Sequence, residues 1–233
     1  AERQALPTFG RTLDHRLLAL AARGEPLSLA DAGLLLEALR AREVDDGFYL
    51  ALQLLPERAA DGLVGRLHQD LASGAVEVEQ LTFVFDRLSP RGVMALLGLA
   101  MSLPPEVAAV LVRDVHEQRP ELVRERAAAA LDGPTEVEPV WLPYCGPLLD
   151  RPARVERVMA MLRGSESEAV REAAFEALLS GKIVDRAMLD TALDGRGNDR
   201  ARLLRVLSRA GDAVPAESVV DYLGGVTEVA WRL

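Results

Sequence analysis

The residues of this sequence whose types could carry chemistry are three histidines, one cysteine and a pair of adjacent aspartates. His15, His68 and His116 lie far apart, and none has a second His or Cys three or four positions on. A zinc site needs ligands converging from such spacings, so these rings read as solvated or capping groups and no metal site is expected. Asp45-Asp46 would need a further acid nearby on the same face to hold a cation, and Gly47-Phe48-Tyr49 supplies none. Two acids at a helix start, favoured by its dipole, are the simpler reading. Cys145 has no neighbouring His, and no serine stands in a Gly-x-Ser-x-Gly elbow. Gly195-Arg196-Gly197-Asn198 is glycine-rich but follows no strand, so it is not a phosphate loop. No catalytic residue, cofactor site or metal ligand is expected, and the chain is not read as an enzyme. Trp141 and Tyr144 stand apart as candidate partner-binding residues, because binding hot spots are enriched in Trp and Tyr. The alternative is that their segment folds back and plugs the interior with both rings.

The composition says what must position such residues. Of 233 residues, 49 % are hydrophobic and 27 % charged, which excludes a wholly disordered chain. Aromatics are only 4 %, so the packing rests on Leu, Ala and Val, whose size lets helix axes approach to about 8–10 Å. The net charge of −9 argues against nucleic acid and against anionic membrane surfaces as partners. A single cysteine allows no intrachain disulfide. No apolar run approaches the ~20 residues of a membrane span, and Ala1-Glu2-Arg3-Gln4 has no apolar leader core. A cytoplasmic location is expected on these grounds.

Pro and Gly punctuate apolar-periodic segments at near-regular intervals, as in a helical array. The periodicity predicts helices over about Thr12–Arg23, from an N-cap at Ser28 onward, over Asp46–Leu54, and from Pro56 to Ser73-Gly74. It continues over Glu77–Leu88, Pro90–Ser102, Pro105–Gln118 and Pro120–Leu131, prolines being harmless in a first turn. The Asp-Gly pair at 61–62 is read as lying inside a helix, and those at 46–47, 132–133 and 194–195 as helix ends. Residues from Gly133 to Asp150, with Pro134, Pro139, Pro143 and Pro147, break the rhythm and read as an irregular insertion. Helices resume at Ala153–Arg163, Glu166–Ser180, Val184–Leu193, Asp199–Ala210, Pro215–Leu223 and Val226–Leu233.

Two segments align without a gap, V-R-E-R-A-A-A-A-L at 123–131 and V-R-E-A-A-F-E-A-L at 170–178. In the second, Val170, Ala173, Ala174, Ala177 and Leu178 share one helical face. Ser165-Glu166-Ser167-Glu168 before it has the form of a capping box. A helix, a tight turn and then V-R-E-A-A-x-x-A-L resembles the second half of a HEAT repeat, over about Pro105–Gly133 and Ala153–Lys182. The Asp-Pro pair common in that family's turn is absent. The resemblance implies a curved right-handed stack of hairpins that binds other macromolecules, with Arg124 and Arg171 bracing neighbouring repeats by pairing with carboxylates.

The expected fold is therefore all-α: a right-handed α-solenoid of about six to seven antiparallel helix pairs. It is read as one HEAT-like domain over residues 1–233, with a Pro-rich insertion at about 133–150. The expected function is a protein-interaction scaffold or adaptor for a protein or peptide, a basic one suiting the acidic balance. A HEAT-like enzyme is the alternative, of the bilin-chromophore lyase type or, against the net charge, the DNA glycosylase type. A purely structural or oligomerisation segment is the other, since Val229-Ala230-Trp231-Arg232-Leu233 lacks a polar cap.

Overall fold

Where the chain carries a cap, a first-turn proline or an apolar stripe, it is helical. The computed structural model describes residues 13–135, 137–193 and 199–208. Among them are fourteen α-helices and no strand. The first eight are α1 (Leu13–Ala21), α2 (Leu29–Ala41), α3 (Asp46–Gln53), α4 (Glu57–Asp61), α5 (Val64–Ser73), α6 (Val78–Phe85), α7 (Pro90–Leu99) and α8 (Pro105–Gln118). The rest are α9 (Pro120–Asp132), α10 (Leu142–Cys145), α11 (Pro152–Gly164), α12 (Glu168–Ser180), α13 (Arg186–Ala192) and α14 (Asp199–Ser208). No helix of the described residues is long and apolar enough to cross a membrane. The expected helices at Pro215–Leu223 and Val226–Leu233, and the glycine-rich 195–198, lie outside the described residues. The chain divides into two compact units, residues 1–123 and 124–233, the boundary falling within α9.

In the first unit helices pack both on the next in the chain and on the one two places along: α1 on α2 and α3, α2 on α3 and α4, α5 on α7, and α8 on α6 and α7; α4 also packs on α7. Leu17, Leu36, Leu39, Phe48, Leu67, Leu81, Leu96 and Leu111 are fully buried between them. Each such side chain contributes about 1.5–3 kcal/mol relative to leaving it in water. The close approaches are made at glycines. Gly47 opens α3 directly under Asp14 of α1, whose Oδ1 accepts the Gly47 N–H at 2.8 Å; a Cβ there would stand 2.3 Å from that oxygen. The same device recurs at α7, where Asp61 accepts the Ser89 N–H at 3.0 Å and its hydroxyl at 2.5 Å. A Cβ on Gly92 would meet Asp61 Oδ1 at 1.9 Å. An aspartate of an earlier helix thus satisfies orphan donors at the start of a later one.

Local signals set several of the helix ends. Ser28 Oγ accepts the Asp31 N–H at 3.2 Å, capping α2. Pro90, Pro105 and Pro120 each open a helix. Two expectations need correction. The helix expected to run unbroken from Pro56 is two helices, because Asp61-Gly62 ends α4; Asp61 is drawn to Ser89, and Gly62 lies against Leu29, 2.8 Å from where a Cβ would be. The capping box expected at Ser165–Glu168 is not formed: Ser167 is the N-cap, without a side-chain cap bond. A capping box is found instead between Glu77 and Gln80 at α6.

In the second unit, α10 and α11 pack on α12, and α11 also on α13. Residues 133–150, expected as an irregular insertion, instead form consecutive helical turns. Pro139–Trp141 and Gly146–Leu148 are 3-10 turns flanking α10, and Pro139, Pro143 and Pro147 each stand in the first two positions of one. The prolines that suggested irregularity are thus start signals for short helices. The segment is pressed onto the C-terminus of α12, where a Cβ on Gly146 would lie 1.9 Å from Ser180 Oγ and one on Gly181 2.8 Å from Gly146 O. Gly181 therefore serves close approach, and the left-handed turn that ends α12 falls on Lys182 at φ 61°. Its N–H bonds Leu179 O at 3.2 Å, and the Ile183 N–H bonds Leu178 O at 2.9 Å, a Schellman pattern made without glycine.

Candidate interaction surface

Trp141 and Tyr144, the sequence candidates for partner binding, lie on or beside α10. Trp141 is 1 % exposed; its ring packs in the core of the second unit, with the Arg126 guanidinium 5.9 Å from the ring centroid. It plugs the interior and offers no surface to a partner. Tyr144 is half-buried. Cys145 is fully buried, its thiol donating to Trp141 O at 3.3 Å. Burial pushes that thiol up to about 12, the field of Arg154 opposing, so it stays protonated and inert.

The remaining chemical candidates stay dispersed. His68 Nε2 lies 2.8 Å from Ser102 Oγ, and among the described residues no three His, Cys, Asp or Glu side chains group to hold a metal ion. At Asp45-Asp46, Asp45 occupies the N-cap of α3 without a side-chain cap bond; Asp14 makes the bond to the helix start instead. Desolvation, then the hydrogen bond and charge of Asp14, hold the Asp45 carboxyl above its ordinary value.

Of the two arginines expected as braces, one lies at the surface and one is buried. Arg124 is exposed. Arg171 is buried, but its Nη1 donates to Ser165 O at 2.8 Å and its Nη2 to Glu168, so it closes the turn before its own helix. Cross-helix braces are made by Arg40 of α2 to Asp70 of α5, by Arg154 of α11 to Asp132 of α9, and from α14. Arg202, with no exposed surface, donates from Nε to Glu172 at 2.5 Å, from Nη2 to Glu168 at 2.8 Å and from Nη1 to Ala192 O at 2.7 Å. Arg205 pairs with Glu172 and with Glu176 at 2.7 Å. Glu168, Glu172 and Glu176 stand at i, i+4 and i+8 on one face of α12. Both guanidiniums lie over the ring of Phe175, 5.9 and 5.1 Å from its centroid. Although burial opposes it, hydrogen bonds from Arg205 and Arg202 hold Glu172 below its ordinary 4.5. The buried face of α12 consequently includes Arg171, Ala174, Phe175 and Leu178, while Val170 and Ala173 are half-exposed.

The surfaces left for a ligand differ between the units. In the second, a hollow of about 480 Å³ is lined by Val137, Met161, Val170 and Arg157. Arg157 is already engaged, donating to Gly133 O and Thr135 O. In the first, Tyr49 of α3 and Phe83 of α6 meet edge-to-face at 5.2 Å and are each 40 % exposed. Leu50, beside Tyr49, is 45 % exposed. A groove of about 230 Å³ runs between the α5–α6 connection and α8. Its floor is Val76 and Val78, its open wall Val107 and Val110, and its rim Glu77, Glu79 and Glu106.

No protein-family model, curated protein or solved structure matches this chain. The first unit leaves two rings and an acid-rimmed apolar groove at its surface. Sequence reading missed Tyr49 and Phe83. Their signal was present: on α3 and α6, apolar residues flank the buried stripe on its outer side, so Phe48 and Phe85 fill the core while their neighbours at 49 and 83 cannot.

Proposed function

We propose that this chain is a stack of HEAT-like α-hairpins that acts as a scaffold or adaptor, binding a protein or peptide on its helical surface rather than catalysing a reaction. Packing of α1 on α3, α2 on α4, α5 on α7 and α6 on α8 supports the stack, since successive hairpins in such an array cover one another's apolar sides. The recurrence of the aspartate-on-glycine contact at α3 and α7 supports a repeated unit. A net charge of −9 favours protein over nucleic-acid partners.

The observation that carries the binding reading is the Tyr49–Phe83 pair. In a chain with only 4 % aromatic residues, two rings stacked edge-to-face and left 40 % exposed are a costly use of apolar surface. The test is affinity capture from native lysate with the wild-type chain and with the Tyr49→Ser/Phe83→Ser double variant. The expected outcome is a partner retained by the wild type and lost, or held at least about tenfold more weakly, by the double variant. Capture of no macromolecule by the wild type, or undiminished capture by the variant, would contradict it.

A further inference from the structure

We infer that the groove between the α5–α6 connection and α8 receives a segment of another protein in which an aliphatic side chain is flanked by arginine or lysine. This inference rests on the scaffold reading and gives it a partner chemistry. The occupant must first match the groove's shape. At about 230 Å³ it is smaller than the ~300–1,000 Å³ of small-molecule sites. It is lined by valines on floor and wall, which suits an inserted apolar side chain rather than a cofactor.

Charge then selects what surrounds that side chain. Glu77 is engaged by Arg42 at 2.5 Å. Glu79 and Glu106 are exposed on opposite sides of the groove, and among the described residues neither is in an ion pair. Arg113, whose field reaches Glu79, donates from Nε and Nη2 to Asp114 at 3.1 and 3.0 Å. Two carboxylates thus remain for an incoming cation on each side of the apolar floor. The first unit as a whole carries 12 Arg and no Lys against 18 Asp and Glu, so its field attracts such a segment before contact. Glu79 and Phe83 are four residues apart on α6 and share a face.

The test uses the full chain and short fluorescein-labelled synthetic peptides followed by anisotropy. One peptide carries leucine between two arginines; its counterparts replace the arginines by glutamate or the leucine by glycine. The wild type should bind the first, more weakly as salt rises, and neither counterpart. Glu79→Gln/Glu106→Gln, both exposed and free to change without disturbing the core, should weaken binding about tenfold and flatten its salt dependence. Val107→Asp should abolish binding with an unchanged circular dichroism spectrum. Equal binding of all three peptides, no binding of any, or binding unaffected by the double glutamine variant overturns the groove assignment. Capture of a partner through Tyr49 and Phe83 would still stand in each of those cases, so failure of the groove and failure of the scaffold are told apart.

Discussion

Gly47 and Gly65 are the same residue type, on α3 and α5, yet the structure asks opposite things of them. A Cβ at Gly47 would lie 2.3 Å from Asp14 Oδ1 and 2.6 Å from its backbone oxygen, one of them immovable main chain. At Gly65, inside α5 and exposed, nothing lies within 4 Å. Gly47→Ala should therefore destabilise the chain by about 1–3 kcal/mol through forced separation of α1 and α3. Gly65→Ala should stabilise it by about 0.5–1 kcal/mol through helix propensity alone. Urea denaturation of both variants checks this, and equal signs would show that the glycine-mediated approach is not made. Neither role could be read from sequence, where both residues are a glycine in an apolar-periodic stretch; only the neighbouring helix distinguishes them.

Across elements, the start signals were legible because they act locally. Ser28 caps its own helix, and Pro90, Pro105 and Pro120 open theirs whatever packs around them. The pairing of arginines was not legible, because a carboxylate at Glu172 has no local sign that its partners are Arg202 and Arg205, about thirty residues on. The prolines of 133–150 misled for a related reason: each is compatible with a short turn or with irregular chain, and burial of Trp141, Leu142 and Cys145 decides for the turn. The arginine network also predicts an acid response. Glu172 is held below 4.5, and Asp132, hydrogen-bonded by Arg154 at 2.5 Å, is held below 3.8. A carboxylate whose folded value is depressed stabilises the folded state fully above its unfolded value, and that contribution is lost as pH falls through the folded value. Stability of the second unit should thus change little on account of these groups from pH 7 to 5 and decline below about 4.5. Glu172→Gln should lower stability at pH 7 and flatten the decline, as followed by urea midpoints across pH; an unchanged slope would dismiss the pairing.

At the scale of the whole molecule, an all-helical chain and its low aromatic content were legible, because Leu, Ala and Val at helical period leave little alternative. The proposed binding surface was legible only in its sign: net −9 pointed to a basic partner, while of the two candidate anchors Trp141 is drawn inside, as the fold-back reading expected, and Tyr144 is half-buried. The proposed contact lies on the first unit, where α6 carries both the exposed Phe83 and the exposed Glu79. Hydrogen–deuterium exchange on the intact chain, free and saturated with its captured partner, tests this most directly. The account predicts slowed exchange concentrated in residues 45–50, 76–83 and 105–110. Protection confined to other segments, or none at all with partner bound, would contradict it.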